Sequence, residues 1–405
     1  MNTIIKIAWR NCWRNPLRTS IVILSIALGI WSSIFLMGFS TGLVNQRVDK
    51  MIHLEIGDIQ IHSSTYDVDG DITNSIENTE KLLQSLKNNE DIHSFSSRFK
   101  TEAYAVSPHG QMGVKLLGVD AIAEQQVLNL ETRLLEGTFL ESDNTYPILV
   151  GKKLAEELHL RMNSKIQLNF TDPYTMQVSK NFKVCGIFSA GNEAFDGTTV
   201  FVPKETIQRI IGSVPIHEII IKTKNETLAD QLAENIQQKY PENLIESWKT
   251  RYPEIAYGVE MMDSTMYILM SIIIAALLFG IINTLTMSIL ERKKELGILM
   301  AVGMKKWNIR LMIVFEYLVY GIVGGPIGIL LGYLTMQYFG NKGFDLSGFG
   351  EGLESFGYDP MVYFEIAPKY YIIYTLYILF ATFIGGFYPS RIATKLNPIE
   401  AIRSI

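Results

Sequence analysis

Apolar positions along the chain gather into four long runs. No charged residue interrupts Thr19 to Gln46 or Ser264 to Leu290, Leu311 to Phe339 carries only Glu316, and Tyr370 to Ser390 carries none. Each run exceeds the roughly 20 residues a helix needs to cross a bilayer's hydrocarbon core. The pattern therefore predicts transmembrane helices at 19–44, 263–290, 311–340 and 370–390. Between the first two the pattern shortens. Tyr146–Gly151, Lys165–Phe170, Phe182–Phe188, Thr198–Val202 and Ile219–Ile221 read as strands, and His53–His62 as a strand with a bulge at Gly57. Thr79–Leu86, Lys152–Leu158, the stretch after Pro203 and Thr227–Gln238 read as helices. The fold class is thus a membrane protein with four transmembrane α-helices. A large α+β extracytoplasmic domain, 45–262, is inserted between spans one and two.

Charge orients this arrangement. The arm, residues 1–18, carries Lys6, Arg10, Arg14 and Arg18 and no acid, and the loop 291–310 holds six basic and two acidic side chains. The tail, 391–405, has Arg391, Lys395 and Arg403 against Glu400, whereas 41–263 holds 21 basic and 32 acidic residues and the loop 341–369 two and five. By the positive-inside rule both termini are cytoplasmic. Cys12 and Cys185 then fall on opposite sides of the membrane, so no disulfide framework is expected. The first apolar run is too long for a signal-peptide core and lacks a small-x-small cleavage site, so it reads as retained.

Several local features refine the picture. Lys6, Arg10 and Arg14 recur every fourth residue beside Trp9 and Trp13. That spacing suits an amphipathic helix among lipid headgroups, and equally charge that merely sets topology. Asn15-Pro16 should end that helix and open span one. Gly38 and Gly42 in span one, and Gly324, Gly328 and Gly332 in span three with Pro326 among them, invite close helix contact. Asn283 is polar at membrane depth and calls for a facing helix or cavity, and Glu316 can pair with a cation of the adjacent loop. Met262, Met266 and Met270 form a stripe that, with Phe35, Met37 and Phe39, makes a candidate lateral gate for cargo. Packing between subunits is the competing reading of that stripe. The six histidines have no ligand spacing, so no metal site is expected. No catalytic constellation and no G-x-x-x-x-G-K-[ST] phosphate loop occurs, and Leu346-Ser-Gly-Phe-Gly350 only looks like an ATPase signature.

The stretch that organises the chain is the loop between spans two and three, Glu291-Arg-Lys-Lys-Glu-Leu-Gly-Ile-Leu-Met-Ala-Val-Gly303. Glu291, Arg292, Lys293 and Glu295 offer mixed charge for a docking partner, Leu296 follows them, and Gly297, Ala301 and Gly303 leave surface for close approach. This string resembles the coupling helix of FtsX/MacB-type ABC transporter permeases. The likeness extends to Arg14-Asn-Pro-Leu-Arg-Thr19, Gly57-Asp-Ile-Gln-Ile-His62, Ile148-Leu-Val-Gly151, Phe182-Lys-Val-Cys-Gly-Ile-Phe188 and Asn397-Pro-Ile-Glu-Ala-Ile-Arg403. Within that family the chain is most similar to the lipoprotein-releasing (Lol-type) permeases.

The resemblance implies a non-catalytic subunit, with ATP and Mg bound by a separate cytoplasmic ABC ATPase dimer and no cofactor in this chain. It implies a second permease (the same chain or a different one), contact with membrane lipids, and a bacterial inner-membrane location; no nucleic-acid partner is expected. Its leading function is ATP-driven extraction of lipoprotein cargo for handover to a periplasmic carrier. MacB-like export of peptides, toxins or drugs with an adaptor, and FtsX-like signalling to cell-wall hydrolases, are the alternatives. Asp172, Pro173 and Tyr174 occupy the place of the carrier-binding hook. Their loop, Thr171–Asn181, is shorter than that hook and reads equally as a plain turn.

Overall fold

The structure, a computed structural model, describes residues 2–65, 72–140, 146–174 and 176–395. The chain divides into two compact units: residues 1–43, 260–345 and 361–405 form one, and 44–259 with 346–360 form the other. The Asn397–Arg403 string lies outside the described residues.

The first unit is helical. An arm helix, Asn2–Cys12, precedes four long apolar helices, Pro16–Met51, Pro253–Glu291, Lys306–Lys342 and Lys369–Lys395, here called spans one to four. Pro16 opens span one, where a missing N–H costs nothing. Glycine sets the contact between spans one and three. A Cβ at Gly328 would lie 2.6 Å from the Ala27 carbonyl oxygen and 2.8 Å from Ile30 Cβ. Gly324 and Gly332 meet Ile26 and Ile34 in the same row. The neighbouring face of span three turns to span four, where Gly321 lies against Thr382. Trp31 Nε1 donates to Thr335 Oγ1 at 2.9 Å, adding a polar tie between spans one and three. At the far end of span one, Gly38 and Gly42 leave room for Met336 and the Tyr363 carbonyl.

Among the described residues the second unit is built on ten strands: β1 (Ile59–Ser63), β2 (Ile92–Ser107), β3 (Gly110–Val119), β4 (Leu134–Gly137), β5 (Pro147–Gly151), β6 (Lys165–Thr171), β7 (Gln177–Phe188), β8 (Thr199–Pro203), β9 (Glu218–Thr223) and β10 (Asn243–Ser247). They pair in the order β10-β1-β9-β2-β3-β8-β5-β7-β4. Because β6 bonds to both β2 and β7, strands β2-β3-β8-β5-β7-β6 close into a ring. Its interior is filled by Phe99, Leu116, Val150, Leu168, Phe182 and Val202. The sixteen-residue β2 serves two sheets. Residues up to Arg98 pair with β9, and from Phe99 onward the strand pairs with β3. Helices Thr79–Lys87 and Ala229–Lys239 cover the smaller sheet, β10-β1-β9-β2, with Leu82, Leu86, Leu232 and Ile236.

Two local expectations change. His53–His62 is not one strand: Ile52–Ile56 forms a single π-type turn, and pairing starts only at Ile59. The buried Ile52, Leu54 and Ile56 alternate as a strand would, which is why the pattern misleads. Gly57, at φ +74°, makes the corner between turn and strand. The long β2–β3 hairpin has no counterpart in the pattern, because buried positions of β2 include Ser94, Ser96, Arg98 and Thr101 while Phe95 and Tyr104 point the other way, which erases the alternation.

Where β2 passes from one sheet to the other, a buried charge cluster forms. Arg98 donates from Nε and Nη2 to Glu124 Oε1 (2.9 and 2.5 Å) and from Nη1 to Glu218 Oε2 (2.8 Å). Lys100 Nζ donates to Glu218 Oε1 at 3.0 Å. Burial alone would raise the Glu218 carboxyl, but Lys100 and Arg98 hold it well below the usual range. His62 beside them is fully buried, its Nε2 3.1 Å from Gln60 Oε1, and burial pushes its pKa down to about 4.

Two measurements follow. In thermal unfolding of the purified protein, Gly328→Ala should cost about 1–3 kcal/mol through overpacking. Gly325→Ala, whose Cβ would meet only Ile378 Cγ2 at 3.9 Å, should cost far less. For His62, the unfolded chain takes up a proton as pH falls through 6.5, whereas the native state resists until about 4. Its contribution is therefore present above pH 6.5 and lost on acidification. Between pH 7.5 and 5 the native protein should lose about 2 kcal/mol more than His62→Gln does. Using the difference removes the opposing effect of Asp196, which burial raises to about 6 and which gains stability over the same fall.

Candidate functional site

One end of the helical unit concentrates charge. The arm helix packs Ala8 and Cys12 inward and leaves Lys6, Arg10, Trp9 and Trp13 outward, the two indoles edge to face at 5.9 Å. After a break at Arg292, the loop between spans two and three forms a short helix, Lys293–Ala301, ended by a turn in which Gly303 takes φ +99°.

Three ionic contacts fasten this helix. Arg292 donates to both oxygens of Glu316 at 3.2 Å, and Asn11 Nδ2 donates to Glu316 Oε1 at 2.7 Å. Arg14 grips Glu295 with two nitrogens, one at 2.7 Å, and this hydrogen-bonded pairing holds the Glu295 carboxyl below its ordinary range. Arg18 reaches Glu291 at 2.6 Å. Arm, short helix and span three are thereby joined around one buried carboxylate.

This placement divides the residues singled out in the loop. Glu291, Arg292 and Glu295 are engaged within the chain, and Leu296 and Gly297 are buried. Lys293 is half-buried, and Ala301 and Gly303 stand at the exposed tip. The tip is completed by residues not singled out from the sequence: Ile298, Val302 (82 % exposed) and Trp307 are apolar and open, with Lys294, Lys305 and Lys306 exposed around them. Their signal lay in the Ile-Leu-Met-Ala-Val run, which reads as packing unless the helix turn is known.

The other candidates separate. Phe35 and Phe39 stack with Phe339, Phe344 and Phe364, at centroid distances from 5.1 to 6.5 Å. Met37 is buried. Met270 is also buried, in a small cavity beside Gly29, Ile30 and Tyr374, while Met262 and Met266 are half-buried. Asp172, Pro173 and Tyr174 form a tight turn. The Asp172 carboxylate accepts from the Tyr174 and Met176 N–H groups (2.9 and 2.8 Å), leaving Tyr174 and Met176 outward. Between spans one and two runs an apolar groove of about 680 Å³, lined by Ile21, Leu28, Trp31, Ile273, Ala276 and Leu277 among others.

Four apolar helices, a domain inserted between the first two, and a charged short helix between the second and third define a multi-pass membrane protein. Residues 19–239 match the MacB-like periplasmic core domain and residues 267–398 the FtsX-like permease C-terminal family. The chain belongs to the FtsX/MacB-type ABC transporter permeases, whose family is one of non-catalytic permease subunits. It is 23 % identical to an uncharacterized ABC transporter permease of Methanocaldococcus jannaschii, covering 100 % of this chain and 98 % of that one. It is 22 % identical to the lipoprotein-releasing system transmembrane protein LolE of Haemophilus influenzae, covering 100 % of both. Against the macrolide export ATP-binding/permease protein MacB of Escherichia coli the identity is 22 % over 96 % of this chain and 58 % of that protein. The solved periplasmic region of MacB from Actinobacillus actinomycetemcomitans covers 52 % of this chain and 98 % of its own, at 14 % identity and a TM-score of 0.36.

Removing the cation from the buried pair tests the site's construction. Arg292→Leu strands the Glu316 carboxylate and should lower stability by roughly 3–5 kcal/mol. Arg14→Ala, which breaks a largely exposed pair, should cost less than about 1 kcal/mol. Thermal unfolding in detergent reads both.

Proposed function

We propose that the chain is the permease subunit of an ATP-driven assembly that extracts lipoproteins from the outer leaflet of a bacterial inner membrane. An ABC ATPase, a separate chain carrying ATP and Mg, docks on the tip formed by Ile298, Val302 and Trp307. The arm, this tip and the tail face the cytoplasm in this reading, because cations dominate there. Movement of the short helix passes through the Arg292–Glu316 pair to span three, and from the spans to the inserted domain.

The observation that carries the docking assignment is the exposed apolar tip ringed by lysines, since Val302, 82 % exposed, is left uncovered by the described residues. The lipoprotein assignment rests on the apolar groove between spans one and two, whose lining suits acyl chains better than a soluble solute. A second permease is supported by span two. Only 11 % of its apolar window is buried within the chain, and Asn283 lies on its open face. The turn at Asp172–Tyr174 is short for hooking a carrier, and its outward Tyr174 and Met176 are the contacts such a carrier would use.

Val302→Asp should abolish co-purification of the ATPase while leaving the melting temperature of the permease within a degree or two, since no buried contact is lost. In proteoliposomes holding the intact complex, ATP should release a triacylated lipoprotein to a soluble acceptor. Release of an unacylated peptide or a macrolide in its place would assign the chain to the export branch of the family.

A further inference from the structure

The closed ring of strands carries a cleft of about 910 Å³ on its outer wall, and the chemistry of that cleft is unlike that of a packing surface. Beside the cleft the inward residues Ala103, Ala105, Val114, Leu168 and Phe170 are apolar and buried, so the cleft is lined chiefly by the outward set. The pairing registers align Gly113, Tyr104, Asn169 and Ser179 in one row across the four strands. Tyr104 is 61 % exposed, a large ring left uncovered on the wall.

Gly113 gives the row its meaning. Glycine inside a strand weakens it, and usually marks a bulge, a strained backbone, close packing or the approach of a ligand. The β2–β3 register runs without a shift from Phe99 to Ser107, so there is no bulge. Gly113 is not among the positive-φ glycines. A Cβ placed there would meet nothing within 4 Å, so nothing in the chain presses on it. What the missing side chain does is keep the floor beside Tyr104 open.

The remaining lining selects the ligand. Gln111, Thr171, Gln177 and Thr198 contribute neutral amides and hydroxyls, and among the described lining residues one carboxylate, Glu102, stands in register with one cation, Lys115. Asn169 Oδ1 is already engaged by Gln167 Nε2 (3.0 Å) and Ser179 Oγ (2.5 Å), which turns the Asn169 amide nitrogen out as a donor. Balanced charge disfavours an anion or nucleic acid, and the polar lining disfavours an acyl chain. An extended peptide joins a strand edge, and among the described residues the edges here, β3 at Gly110–Val114 and β7 at Gln177–Phe182, lie at the two ends of the row, whereas Tyr104 stands on an interior strand bonded on both sides. An uncovered aromatic ring flanked by neutral donors and acceptors suits a pyranose, whose C–H face packs on the ring while its hydroxyls bond to the rim. We propose that this cleft binds a neutral oligosaccharide, with Tyr104 as its platform and Gly113 holding the platform clear. The site is independent of the cargo assigned above.

The test uses the full chain in phosphatidylcholine nanodiscs, free of sugar-headed detergent. Cellotetraose, maltotetraose and chitotetraose are titrated separately, with saturation-transfer NMR and calorimetry as readouts. At least one should bind saturably. Tyr104→Ala and Gly113→Leu should each weaken that binding by about tenfold or more, and Ile122→Ala, at an exposed residue outside the cleft lining, should not. Gly113→Ala adds only a methyl and guards against misfolding: it should keep the melting temperature and still reduce affinity. Absence of saturable binding by all three sugars, or binding that Tyr104→Ala and the Gly113 variants leave unchanged, overturns the proposal.

Discussion

The helical unit depends on one buried carboxylate. Glu316 sits just inside span three, where an unpaired charge would be expelled or neutralised, and it is retained because Arg292 and Asn11 reach it from two other segments. That requirement dictates the course of the surrounding chain. Span two must end at Glu291 so that Arg292 can turn inward, and the arm must lie flat enough for Asn11 to face span three. Once these are placed, Arg14 and Arg18 fall opposite Glu295 and Glu291. These outer pairs add little energy, being half-exposed, but they fix the angle at which the short helix leaves the bundle. The tip therefore leaves the bundle in an orientation the chain has already determined.

The inserted domain solves a comparable problem with a strand. Serving two sheets, β2 must change partners midway, and the change exposes backbone and side chains to a seam that neither core fills. Arg98 occupies that seam, satisfied by Glu124 and Glu218, and His62 stays neutral behind it. A pair of hydrophobic residues could fill the same volume, yet only the charged set ties β1, β2, β9 and the helix Ala121–Val127 to one point. The cluster thus specifies which sheet edge meets which.

Much of this was legible in the residues themselves, and unevenly. Uninterrupted apolar runs announce spans because lipid imposes one simple demand, and the Gly324–Gly332 row announces the contact it makes with span one. Glu316 was readable as a partner for a loop cation, though nothing in the string names Arg292 rather than Lys293. The ring of strands was not readable, because closure is a property of β6 pairing with two distant strands and leaves no mark on local alternation. The loop helix shows the same limit in miniature. Of its charges, Glu291, Arg292 and Glu295 are paired within the chain, while the apolar Ile298 and Val302, which looked ready to pack, are left open.

Burial is a poor guide to what the membrane-spanning helices still lack, since apolar surface facing lipid carries no penalty. Polar groups are the better guide. Ser25, Ser271 and Thr284 lie on open faces and yet donate to carbonyls one turn back in their own helices, so each is satisfied without a neighbour. An asparagine amide has two donors and an acceptor and cannot close that account within one helix. Asn283 stands on the open face of span two, one residue before Thr284, with no hydrogen-bond partner among the described residues. Span two is consequently the helix that leaves a polar group unpaired at membrane depth. The same helix walls the apolar groove against span one, with Gly280, Ile281 and Thr284, neighbours of Asn283 within one turn, among the lining.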